Sequence, residues 1–233
     1  MRHLAATLLA AAICAAAPAS ASDRPVVVEL FTSQSCSSCP PADALLDELS
    51  RSRADILPLG LHVTYWDRLG WKDPYSLPAA TERQRRYAAQ LGTGQIYTPQ
   101  TVIDGRRQAV GSDRAAVLEA IAAAKADAAA VPPVPVRVVA RGDGLFAEVG
   151  LGRGAATLWL VGFDARHTTP VRGGENTGRV LVEANVVRSL APVAEWHGER
   201  LGLPLARPAG ERAAVLLQAG DGRILGAAAL PAR

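Results

Sequence analysis

"ELFTSQSCSSCPPADALLDEL", residues 29–49, holds two cysteines three positions apart, behind an apolar run and ahead of a helical pattern. The run itself, "RPVVVELFTS" (24–33), is β-branched and apolar, which predicts a buried central strand. After the cysteines, Leu45, Leu46 and Leu49 fall on one helical stripe, and Asp43, Asp47 and Glu48 take another face. A cysteine pair between strand and helix is a redox centre, half of a metal site or a small staple. The staple is the weakest of these. It closes a loop of four residues, for which chain entropy supplies about 2 kcal/mol before strain. A chain of this length buries a core without such help.

The opening "MRHLAATLLAAAICAAAPASASD" has a short basic start at Arg2 and His3 and an apolar stretch too short to span a bilayer. Small residues follow at Ala19-Ser20-Ala21. Residues 1–21 therefore read as a signal peptide cut after Ala21. Cys14 would be discarded with it, because Ile13 is too large for a lipid-attachment site. This places the mature chain in the periplasm or outside the cell, with no membrane insertion, where cysteine pairs oxidise. The chain has 233 residues, 49% hydrophobic and 20% charged, a globular composition. A net charge of +3 and an aromatic content of 5% argue against nucleic acid as a partner.

Along the chain the order reads strand, helix, strand, helix, strand, strand, helix. Asp104-Gly105 makes a hairpin turn, and Ser112 or Asp113 caps the last helix. "AAAVPPVPV" then breaks the pattern, so the boundary falls between a domain at 22–130 and another at 131–233. Beyond it the period becomes two, through Val134, Val136, Val138 and again Leu145, Ala147, Val149. Six short strand candidates predict an all-β sandwich-like domain.

A C-x-x-C opening a helix puts its first sulfur where unpaired N–H groups and the helix dipole favour negative charge. Cys36 is then the nucleophile and Cys39 the resolving thiol. The arrangement resembles the thioredoxin-like fold. That resemblance implies an α/β thioredoxin-like first domain. It also implies that Pro99 in "IYTPQTVIDG" is a cis-proline facing the cysteines, with the Thr98 backbone beside it to pair with substrate. An ordinary trans proline entering a strand is the alternative. Together with "HVTYWDRLGWKDPY", "RQRRYA" and "GENTGRVLVEANVVR", the chain is similar to an uncharacterised family of secreted bacterial proteins with a C-terminal β-domain.

Glu29 is a candidate proton acceptor for Cys39 if it is buried, or a partner for some polar neighbour. Tyr65, Trp66 and Asp67 open an aromatic-rich segment that reads equally as a substrate-facing loop or as a packing layer. The leading expectation is a thiol–disulfide oxidoreductase acting on protein thiols with a periplasmic redox partner and no cofactor or metal. One rival is a copper(I) chaperone, with His62 completing a site on the two thiolates. The other is a binding module using Arg172, Glu175, Asn176 and Asn185, where the bland account is a glycine loop and a turn.

Overall fold

A computed structural model describes residues 24–231. The expected signal peptide at residues 1–21, with Cys14, lies outside the described residues. The chain runs through β1 (Val26–Thr32), α1 (Pro40–Ser52), β2 (Ile56–His62), α2 (Pro78–Gln90), β3 (Gln100–Ile103), β4 (Arg107–Val110) and α3 (Arg114–Ala130). This is the element order that the sequence predicts for the first half.

β1 is buried over its whole length, flanked by β2 in parallel and β3 antiparallel. Successive residues point to opposite faces of a sheet. Val26, Val28 and Leu30 therefore meet Leu45, Leu46 and Leu49 of α1 and Val117 and Ile121 of α3. Val27 and Phe31 meet Tyr87 of α2 on the other face. Each such apolar side chain contributes roughly 1.5–3 kcal/mol by leaving water. The β3–β4 turn, Asp104-Gly105, has φ of 48° and 67°. A Cβ at Gly105 would stand 1.8 Å from the Gly222 carbonyl oxygen, so glycine serves both the turn and a close approach between two hairpins.

The second half corrects the expected fold class. It contains β5 (Val136–Arg141), β6 (Gly144–Val149), β7 (Ala156–Pro170), β8 (Val180–Trp196), β9 (Leu201–Leu205), β10 (Arg212–Ala219) and β11 (Ile224–Ala229). An α/β thioredoxin-like domain followed by an all-β sandwich-like domain is not what forms. The fold is mostly β, and one mixed eight-stranded sheet runs through both halves in the order β11-β10-β7-β8-β2-β1-β3-β4. Only β5, β6 and β9 form a second, three-stranded sheet.

The joint is a parallel pairing of Gly60 in β2 with Val186 in β8. A Cβ at Gly60 would already lie 3.2 Å from the Ala184 carbonyl oxygen, so the seam runs where the side chain is smallest. Two of the six short strand candidates, "ATLWLVGFD" (156–164) and "GRVLVEANVV" (178–187), fall on β7 and β8, which extend over 15 and 17 residues as one long antiparallel ladder. A period of two tells which residues face a core. It does not tell which edge a strand joins. Among the described residues no helix is long and apolar enough to cross a membrane.

Candidate functional site

The seven residues between β1 and α1 carry the cysteines. Cys36 and Cys39 form a disulfide with their Cα atoms 5.4 Å apart. Both are fully buried, whereas Ser37 and Ser38 between them are exposed. Cys39 is the N-cap residue of α1, and Pro40 and Pro41 occupy the first helical positions. Proline has no N–H, so this helix start offers fewer donors than an ordinary one. The Cys39 N–H donates to the Cys36 carbonyl, and the Ser37 N–H to Glu175. The Ser38 hydroxyl, 3.4 Å from Cys36 Sγ, is the side-chain group placed to steady a thiolate there.

A wall from the second half closes the pair. The loop before β8 supplies buried Asn176, whose side-chain amide donates to the carbonyls of Gln34 and Cys36. Glu175 accepts from the Ser37 N–H at 2.9 Å and the Ser37 hydroxyl at 2.7 Å. Those bonds hold the Glu175 carboxyl below its ordinary range, so it is ionised beside the cysteines at neutral pH. A like charge nearby disfavours a thiolate. Glu175→Gln should therefore lower the Cys36 thiol pKa in the reduced protein and speed its alkylation at pH 6 by roughly threefold, half a pKa unit. An unshifted alkylation profile would show that the charge does not reach the sulfur.

Beneath the pair lies a buried polar cluster. His62 at the end of β2 bonds through Nδ1 to Asp73 Oδ2 at 2.7 Å, and its Nε2 is 3.8 Å from Glu183 of β8. Asp73 also accepts the Gln34 N–H, and Glu183 accepts the Gln34 side-chain amide. The Gln34 carbonyl takes Asn176 and its Oε1 takes the Trp71 indole N–H. A residue two before Cys36 thus spends every polar group it has on the site's walls. Asp43, one turn along α1 from Cys39, accepts from the Thr32 hydroxyl at 2.8 Å.

Burial and the charge of Glu183 push Asp43 up to about 7, against the opposing pull of His62. Burial alone would lower His62, but Asp73 and Glu183 outweigh it and raise it to about 9. Burial also raises Glu183. Asp73 is lowered despite burial, because His62 and the N–H donors favour its charged form. The cluster therefore contains a charged pair, His62 with Asp73, beside an acid poised to gain or lose a proton near neutrality.

The structure places the other candidates as follows. Glu29 is buried, but it points to the α2 face of β1, where it meets Arg83 and the Tyr87 hydroxyl; α1 packs on the opposite face. The Thr98–Pro99 bond is cis. Gly111 is the residue on which Pro99 and Ala42 of α1 converge; a Cβ there would stand 3.1 Å and 3.0 Å from them. Trp66 donates its indole N–H to the Thr98 hydroxyl at 2.8 Å, and Tyr65 bonds Gln84. Both rings also pack against the α2-side core. Asp67 accepts from the Ser76 hydroxyl and the Asp73 N–H, which shapes the loop that delivers Asp73. Asn185 donates to the Pro58 carbonyl at the sheet joint, away from the Glu175 and Asn176 wall.

His62 is committed to Asp73, and among the described residues no group of three or more His, Cys, Asp or Glu could hold a metal. Asp43, Gln34, Asp73 and Glu183 were not singled out by sequence reasoning. A polar residue on an α1 face carries no local sign of what covers that face.

The class these features define is a mixed-sheet protein with a buried C-x-x-C disulfide at a strand-to-helix junction, walled by a loop from its second half. Residues 27–218 match the family model described as "Protein of unknown function (DUF1223)", and the chain belongs to that family. The crystal structure of an Agrobacterium tumefaciens protein is similar, at 33% identity and a TM-score of 0.77, covering 88% of this chain and 93% of that one. HBP35 of Porphyromonas gingivalis shares the fold at 12% identity and a TM-score of 0.60, covering 89% of this chain and 74% of that one. Comparison with curated proteins gives no match.

Proposed function

We propose that Cys36 and Cys39 are a dithiol–disulfide redox centre that exchanges with protein thiols in the periplasm or outside the cell. The observation that supports this reading is Asp43: a buried acid of near-neutral pKa one helical turn beyond Cys39, backed by charged His62 and Asp73. Residues four apart share a helix face. A structural staple needs no ionisable group behind it, and burying several is unfavourable unless they serve a purpose.

Exchange runs in two steps. A substrate thiolate attacks Cys36, the Cys36–Cys39 bond breaks, and its electron pair goes to Cys39. Asp43 supplies the proton that the Cys39 thiolate takes up. A second substrate thiolate then attacks the substrate sulfur of the mixed disulfide and releases Cys36 as thiolate. Two electrons pass from substrate to protein, two substrate thiols become one disulfide, and the reverse direction follows the same path. Asp43 thus takes the role that sequence reasoning gave to Glu29. Because both sulfurs are buried, the wall at Glu175 and Asn176 must give way for a substrate sulfur to reach Cys36.

The test uses the chain from residue 22 onward. Equilibrated with mixtures of reduced and oxidised glutathione, the pair should pass reversibly between dithiol and disulfide. Cys39→Ala should accumulate a mixed disulfide through Cys36, and Cys36→Ala should not. A disulfide that stays inert to every glutathione ratio in the folded protein would return the pair to the role of a staple.

A further inference from the structure

A cleft of about 830 Å³ opens at the far end of β1 from the cysteines. Arg24, which lines it, lies just before the strand, and Cys36 lies beyond the other end. Seven strand residues separate the two by roughly 23 Å. The volume falls in the range of small-molecule sites, roughly 300–1,000 Å³.

The cleft combines an apolar surface with a cationic one. Val131 and Leu151 line it and are 65% and 61% exposed, two large apolar side chains left in water at one place. Around them stand Arg24, Arg106, Arg107, Arg153 and Arg223, against only two carboxylates, Asp104 and Asp127. Arg24 is engaged by Asp104 at 2.8 Å and Arg107 by Asp127 at 2.7 Å. Arg223 approaches Asp221 only at 3.9 Å. Arg106 and Arg153 pair with no carboxylate among the described residues. The Nε atoms of Arg24 and Arg223 are buried without an acceptor. An uncharged apolar ligand would make no use of the exposed guanidinium groups of Arg106 and Arg153. A bare inorganic anion would leave Val131 and Leu151 in water. A molecule with one acidic end and an apolar body satisfies both.

We infer that this cleft binds a small amphipathic anion, an organic carboxylate or sulfonate whose acid group sits between Arg106 and Arg153 and whose body covers Val131 and Leu151. Guanidinium is suited to such groups because it donates two parallel hydrogen bonds to one acid. The inference is independent of the redox reading, since no residue of the cysteine site lines the cleft.

The probe is 1-anilinonaphthalene-8-sulfonate, titrated by fluorescence into the folded, oxidised chain from residue 22 onward. Saturable binding of one molecule is expected, displaced by decanoate. N-phenyl-1-naphthylamine, the same body without the acid, should bind at least tenfold more weakly. The double variant Arg106→Ala/Arg153→Ala should weaken sulfonate binding at least tenfold. These two arginines hold no ion pair, so its melting temperature should stay near that of the parent. Leu151→Asp should weaken binding to a similar extent. Equal affinity for the neutral probe, or sulfonate binding unchanged in both variants, overturns the proposal. So does co-sedimentation with phosphatidylglycerol vesicles without binding of the free sulfonate or decanoate, which would make the face a membrane surface instead.

Discussion

Urea denaturation of the oxidised chain at pH 5 and pH 9 should give unfolding free energies that differ by several kcal/mol, with the acid side the more stable. Asp43 and His62 are the main causes. The folded pKa of Asp43, pushed up to about 7 by burial and Glu183, lies above its ordinary 3.8. Between those values the folded chain holds a proton that the unfolded chain has released, so stability falls as pH rises. The two of those three units that lie between pH 5 and pH 7 correspond to about 3 kcal/mol. Glu183, also raised by burial, acts in the same direction.

His62 adds to the slope at higher pH. Its folded pKa of about 9 exceeds the ordinary 6.5, so its contribution is complete below 6.5 and lost as pH climbs through 9. Asp73, lowered in the fold, opposes this only in acid, below the ordinary carboxylate range. Asp43→Asn keeps an acceptor for the Thr32 hydroxyl but removes the titration, so it should cut the pH 5 to pH 9 difference to about half. A parent protein equally stable at both pH values would contradict the protonation pattern that the exchange mechanism uses.

Asp73→Ala should be the most damaging single change outside the apolar core. Asp73 Oδ2 accepts from His62 and from the Gln34 N–H, and Oδ1 accepts from the Tyr75 N–H. Its removal leaves a buried imidazolium with only a distant Glu183 and orphans two backbone donors. Breaking a buried ion pair in this way costs about 3–5 kcal/mol. Asp73→Asn keeps one acceptor and should cost less, about 1–3 kcal/mol. Midpoint shifts in denaturant at pH 7 measure both. A loss below about 1 kcal/mol for the alanine variant would mean that His62 is neutral in the fold.

How far the sequence could be read follows from the range of each signal. The β-branched run at 26–32, the leucine stripe of α1 and the Asp104-Gly105 turn are local patterns, and each predicts the element that forms. The long second half was legible as strands, because Val138, Leu145 and Ala147 alternate as a buried face requires. It was not legible as an extension of the first sheet, since the seam at Gly60 and Val186 joins residues far apart with no shared motif. The site divides in the same way. Cys36 and Cys39 announce themselves by spacing. Asp43 and Asp47 looked like part of a polar outer face of α1, yet both are buried. Thr32 holds the first and Arg166, from β7, holds the second. Glu29 was a sound candidate for a buried acid, but strand alternation aims it at Arg83. Nothing short of the tertiary fold reveals which face α1 covers.

The wall around the cysteines also sets an order of events during synthesis. Cys36 and Cys39 are three residues apart and can oxidise once residue 39 has emerged into an oxidising compartment. Their surroundings cannot assemble so early. Gln34 waits for Glu183, 149 residues later, and the Cys36 carbonyl waits for Asn176, 140 residues later. Contacts of such separation form slowly, after local ones. The nascent chain therefore passes through an interval in which its sulfur pair is present but unshielded, open to any thiol it meets. Only when β8 docks against β2 does the pair acquire Glu183 behind it and the cover of Glu175 and Asn176.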